Sequence, residues 1–137
     1  MRLLFITDFT EQFAYRFLSG ILDYARTTEL WVICKMPPSY KRQLGMEGVV
    51  AWAKEWHADV VIGQFDPDDD VTLFRKNGIV ALAQDYIVKF DAIPNITGDY
   101  ALTHVQTTVM SERILRAISL PAFSARHRIW ARRQLSL

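Results

Sequence analysis

Four aspartates stand shortly after short apolar runs. Asp8 follows Leu3-Leu4-Phe5-Ile6, Asp66 follows Val60-Val61-Ile62, Asp85 follows Ile79–Ala83, and Asp99 follows Ile93–Thr97. Gln64 and Gln84 lie beside two of them. Carboxylates accept hydrogen bonds, and amides both donate and accept, so this set suits the hydroxyls of a sugar-like ligand. Asp8 and Asp66 also occupy positions expected of helix N-caps, a role compatible with ligand contact at the same rim. Arg16, one turn into the first predicted helix on its polar side, reaches either that rim or solvent.

Other chemistries find little support. The stretch after the first apolar run, Thr7-Asp8-Phe9-Thr10-Glu11-Gln12, holds no glycine and two acids. It cannot form the glycine-rich turn that cradles phosphate, and it would repel one, a flavin mononucleotide included. Asp66, Asp68 and Asp70 have the opening spacing of a calcium loop. Val71, however, stands where that loop needs glycine, and Asn77 stands in place of its bidentate glutamate. His57, His104 and His127 are dispersed, so no zinc set is expected. No serine sits in a nucleophile elbow, and Cys34 falls mid-strand, where a thiol is usually inert. A two-component receiver would need a second acid beside Asp8 and a lysine in Pro94–Asp99, and it finds neither. No catalytic role, no metal and no cofactor are therefore expected.

Positioning these side chains requires alternating strands and helices. Arg2–Thr7, Leu30–Met36, Ala58–Phe65, Ile79–Ala83 and, more weakly, Ile93–Thr97 read as strands. Val60-Val61-Ile62 has the continuous apolar character of a strand buried on both faces. Between them, residues 9–28 place Phe13, Phe17, Ile21 and Tyr24 at helical spacing, and Asp8 with Glu11 has the form of a capping box. Pro37-Pro38 stops the second strand. Met46, Val49, Val50, Ala53 and Trp56 then share a helical face, with Gly45 and Gly48 weakening it. A third helix is expected from Asp66 as cap and Pro67 as first residue, closed by Asn77-Gly78. Trp31, Trp52 and Trp56 read as core, whereas Tyr15 and Tyr40 do not. The fold class is α/β: a three-layer parallel sheet with helices on both faces. In such a sheet ligands bind outside the carboxyl ends of the strands, where the aspartates fall.

Composition agrees with one packed domain. The chain has 137 residues, 50% of them apolar and 23% charged, which excludes global disorder. The net charge of +1 conceals a division. Residues 1–112 carry 10 Lys+Arg against 15 Asp+Glu, or −5, while residues 113–137 carry six arginines and no acid, or +6. No secretory signal is expected from so short an apolar start. No window approaches the roughly 18 apolar residues of a membrane helix. With Cys34 as the single cysteine, a cytoplasmic location is expected and a membrane partner is not. Asn95-Ile96-Thr97 matches a glycosylation sequon only by chance on that reading.

Leu3-Leu4-Phe5-Ile6 with the helix through Gly20 and Tyr24, Asp59–Asp66, Asn77–Leu82 and Ile96-Thr97-Gly98-Asp99-Tyr100-Ala101-Leu102 occur together in order. In this they resemble the xylose operon regulator family. The resemblance implies a sugar-sensing domain like the lactose repressor core and periplasmic sugar-binding proteins, followed in the family by an arabinose-regulator-type helix-turn-helix. It covers residues 2–102 and so implies the N-terminal lobe, residues 1–102, of a two-lobed sensor. Carried onto this chain, its ligand contacts are Asp8, Arg16, Asp66, Asp85 and Asp99. Its partners would be a pentose-like sugar and DNA, the latter through a domain with no counterpart in this sequence. A homodimer is left open.

Residues 103–137 depart from the family pattern as an atypical basic tail, expected to be a truncation or frameshift product. Two functions follow as expectations. One is part of a sugar-responsive transcription regulator. The alternative is a small α/β protein binding nucleic acid nonspecifically through Arg113, Arg116, Arg126, Arg128, Arg132 and Arg133.

Overall fold

The computed structural model describes residues 1–8, 10, 12–28, 30–85 and 87–96, without the side chains of residues 13 and 28. The expected Asp99 and the basic tail lie outside the described residues.

Each apolar run becomes a strand: β1 Arg2–Ile6, β2 Val32–Met36, β3 Val60–Gly63, β4 Val80–Gln84 and β5 Asn95–Ile96. Three helices connect them: α1 Gln12–Thr28, α2 Pro38–Glu55 and α3 Thr72–Lys76. The strands form one sheet in the order β2-β1-β3-β4-β5, and every pairing is parallel. Strand alternation sends side chains to two separate cores. Leu3, Phe5, Val60, Ile62, Leu82 and Ile96 pack with Phe17, Leu18 and Ile21 of α1. Leu4, Ile6, Val61, Ala81 and Ala83 pack with Val49, Val50 and Ala53 of α2 and Phe74 of α3. The molecule is thus the expected three-layer α/β arrangement, with α1 on one face and α2 and α3 on the other.

Three local expectations change. Asp8 Oδ1 accepts the Thr10 amide and hydroxyl at 2.9 and 2.7 Å, a turn two residues on; Glu11, the other half of the expected capping box, lies outside the described residues. The second helix starts at Pro38, directly after the proline that follows β2. Proline at a first helical position loses no bond, and Pro37 is extended, so the pair that ends β2 also begins α2. Gly45 then breaks the helix with φ 66 and ψ 169, and Met46 begins the expected apolar face.

The third helix starts late, at Thr72 rather than Pro67. Asp66 is not its cap. Residues 66–70 fold back on themselves, the Asp66 amide donating to Asp69 Oδ2 at 2.7 Å, and Asp70 Oδ1 instead accepts the Thr72 amide at 3.1 Å. The exit is as expected: Gly78 has φ 72, its amide donates to Arg75 O, and Ile79 donates to Phe74 O.

Among the described residues no helix joins β4 to β5. Asn95 holds this loop instead, accepting the Phe90 amide at 2.8 Å and donating to Phe90 O and Ile93 O at 2.6 and 3.2 Å. Its side chain is therefore engaged in the fold, whatever the sequon. No helix of the described residues is long and apolar enough to cross a membrane.

Candidate functional site at the carboxyl ends of the strands

The chain places β2 and β3 on opposite sides of β1, so the connections leaving β1 and β2 run over opposite faces of the sheet. The topological switch point therefore falls between β1 and β3 at their carboxyl ends, the crevice position at which open parallel sheets hold ligands. The two strands are joined there. Gln64 donates its amide to Ile6 O at 2.8 Å, and its Oε1 accepts the Asp8 amide at 3.4 Å.

Register extends this contact into a row. Ile6 pairs with Gly63 and Gly63 with Ala83, so the following residues, Thr7, Gln64 and Gln84, come level on three adjacent strands. Alternation places them on the α1 face, beyond Phe5, Ile62 and Leu82. Thr7 and Gln84 are 1% and 2% exposed, and neither Thr7 Oγ1 nor Gln84 Oε1 has a hydrogen-bond partner among the described residues. Gln64 is half-buried.

The candidate residues are dispersed around this row. Asp8 lies at its edge, and its carboxyl is held below the usual range by hydrogen bonds from the Thr10 side chain and then the Thr10 amide. Arg16 is exposed on α1, without an ion pair among the described residues. Asp85 follows Gln84 directly, but its Oδ1 accepts the amides of Ile87 and Val88 at 2.8 and 3.3 Å and shapes the next turn. Asp66 is turned toward α2, on the opposite face from α1, where it accepts Lys41 Nζ at 2.7 Å. No hydrogen bond among the described residues links Asp66 or Asp85 to Asp8. The structure therefore brings Asp8 together with Gln64, places Asp85 next to the row, and assigns Asp66 to a separate ion-pair cluster.

Two features escaped the sequence reading. Lys41 is buried between Asp66 and Asp69, its Nζ 2.7 and 2.5 Å from their carboxylates, and nothing local marks it because its partners lie 25 and 28 residues away. Thr7 was legible in principle, since it continues the Leu3, Phe5 alternation with a polar side chain.

Of the acidic run 66–70, Asp66 and Asp69 are taken up by Lys41 and Asp70 by Thr72 and Lys76, and among the described residues no three His, Cys, Asp or Glu side chains gather as a metal site. Cys34 is half-buried in β2, and burial pushes its thiol up, away from the reactive thiolate. Far from the rim, at the amino ends of the strands, Arg2 lies 5.4 Å from the centre of the Trp56 ring, which stacks on Trp52 at 5.6 Å. These tryptophans are packed against the core, whereas Tyr15 and Tyr40 are exposed, as expected.

No family model matches the chain, and no curated protein matches it in sequence. Among solved structures, a dTDP-4-dehydrorhamnose reductase from Clostridium acetobutylicum ATCC 824 is similar with a TM-score of 0.43 and 13% identity, over 85% of this chain and 49% of that one. This chain thus spans about half the length of that structure. The similar structure is an enzyme, which corrects the expectation that this chain has no catalytic role: the lack of a known motif does not carry that exclusion. A likeness of this strength gives no argument for the reductase's own activity here.

Proposed function

We propose that residues 1–102 are part of the sugar-sensing effector domain of a cytoplasmic bacterial transcription regulator of the xylose operon regulator type. The observation that carries this reading is the chemistry of the crevice rim. The residues at the carboxyl ends of β1, β3 and β4 include acids, amides and a threonine, namely Thr7, Asp8, Gln64, Gln84 and Asp85, and the turn after β1 has no glycine. Such groups accept and donate to hydroxyls and disfavour phosphate. The second carboxylate oxygens of Asp8 and Asp85 make no hydrogen bond among the described residues, which leaves them as acceptors at the rim. Arg16 fits this reading as a donor, and Asp99 as a further acceptor.

In this mechanism a pentose-like sugar bridges this lobe and a second one. It binds the closed arrangement better than the open one and thereby shifts how a helix-turn-helix domain is presented to DNA. Calorimetric titration of the chain with a panel of pentoses and their phosphates tests the reading. A saturable heat with at least one free pentose and none with its phosphate is expected; no saturable binding of any free sugar would overturn it. A second reading, nonspecific nucleic-acid binding through residues 113–137, is favoured by one observation, six arginines without an acid.

A further inference from the structure

We infer that Thr7, Gln64 and Gln84 form the floor of the binding site, an uncharged row that takes two or more adjacent hydroxyls of a sugar or polyol; this rests on the reading of the rim as a sugar site and assigns its inner contacts. The α1 face of the sheet is apolar along Leu3 and Phe5 of β1, Val60 and Ile62 of β3, and Leu82 of β4. At the carboxyl ends it changes to three polar side chains in register. Adjacent strands lie about 4.8 Å apart, so Thr7 and Gln84 are separated by roughly 10 Å with Gln64 between them.

Thr7 Oγ1 and Gln84 Oε1 are buried and without partners among the described residues, whereas buried polar atoms in folded proteins are nearly always hydrogen-bonded. The missing partners have a definite character. Gln84 Oε1 can only accept, the threonine hydroxyl donates and accepts, and Gln64, with its Oε1 facing the Asp8 amide, offers its amide N–H groups. Donors and acceptors alternate along the row as they do along neighbouring hydroxyls, each of which both donates and accepts. No cation belongs to the row and Asp8 adjoins it, so a carboxylate or phosphate is refused. Of the ligand candidates drawn from the resemblance, Asp8, Arg16 and Asp85 then act at the margin, and the buried uncharged row selects.

Nuclear magnetic resonance of the full isotope-labelled chain, titrated with D-xylose and with other pentoses, tests this. The Thr7 methyl and the side-chain amides of Gln64 and Gln84 are expected to shift together and saturate with one shared Kd. Thr7→Val and Gln84→Met should each weaken that Kd about tenfold without lowering the unfolding midpoint, because each replaces an unpartnered buried atom with an apolar group of similar size. Thr7→Ser, which keeps the hydroxyl, should restore most of the affinity. An unchanged Kd in both Thr7→Val and Gln84→Met would overturn the inference, the row then holding water, while the function proposed above would stand. Saturating shifts confined to Asp8, Arg16 and Asp85 would do the same. No saturable shift anywhere in the unaltered chain would overturn both.

Discussion

Lys41 shows how a single side chain can organise two segments. Its ammonium is 5% exposed and meets Asp69, 18% exposed, and Asp66, 68% exposed. The two carboxylates are therefore unequal partners: the pair with Asp69 is screened little by solvent, and the pair with Asp66 is screened heavily. Asp69 also accepts the Asp66 amide, so it fixes both the lysine and the turn. Removing one member of a buried pair leaves the other desolvated without compensation, which costs about 3 kcal/mol. Lys41→Met and Asp69→Asn should each lower stability by about that amount in urea unfolding, and Asp66→Asn by under about 1 kcal/mol. Equal losses for Asp66→Asn and Asp69→Asn would show that burial does not set the order. The same network explains why Asp66 was misread as a cap. Five residues, Asp66–Asp70, include four aspartates, each with the chemistry of a cap, and the choice among them is made by a lysine far away in sequence.

At the scale of elements, what was legible depended on whether the signal was local. Strands β1 to β4 follow from largely apolar runs and the two-residue β5 from a weaker one, and the Asn77-Gly78 exit of α3 follows from one dipeptide whose glycine takes positive φ. Both are properties of a few adjacent residues. The boundaries of α2 were not legible, because Pro37-Pro38 is as good a helix start as a strand stop, and the resulting first segment has no strong apolar face of its own. Gly45 resolves the conflict. Its φ of 66 with ψ of 169 lies in a region open essentially to glycine, and it separates the segment that carries Lys41 from the segment that carries Val49, Val50 and Ala53 into the core. No atom lies within 4 Å of where its Cβ would be, so a side chain there would meet backbone strain and nothing else. Gly45→Ala should therefore destabilise by about 1–3 kcal/mol, measured by urea unfolding, even though alanine is the better helix former. A gain in stability would show that α2 can run straight through this position. The candidate site divides the same way: Asp8, Gln64, Gln84 and Asp85 could be placed at the rim from strand ends alone, but which of their groups remain unbonded depends on register between strands far apart in sequence.

Across the whole molecule the charge is arranged in two blocks that coincide with the limits of the recognisable pattern. Residues 1–112 form the block of −5, and the six arginines of residues 113–137 follow it. Blocks of opposite sign on one chain attract each other, so any polyanion must compete with the acid-rich lobe for the arginines. If all six met phosphates of a DNA duplex, the logarithm of affinity would fall with the logarithm of salt concentration at a slope of about −5. Intramolecular competition should make the observed slope shallower. Fluorescence anisotropy with duplexes of unrelated sequence is expected to show weak binding at low salt, indifferent to sequence and lost as salt rises. A chain ending at residue 112 should lose that binding and keep the sugar-induced shifts at Thr7 and Gln84, since the crevice draws only on strand ends. Binding to DNA that survives the deletion would place the contact on the lobe, against its charge, and would remove the tail reading. Loss of the sugar response on the same deletion would instead show that the basic segment completes the crevice.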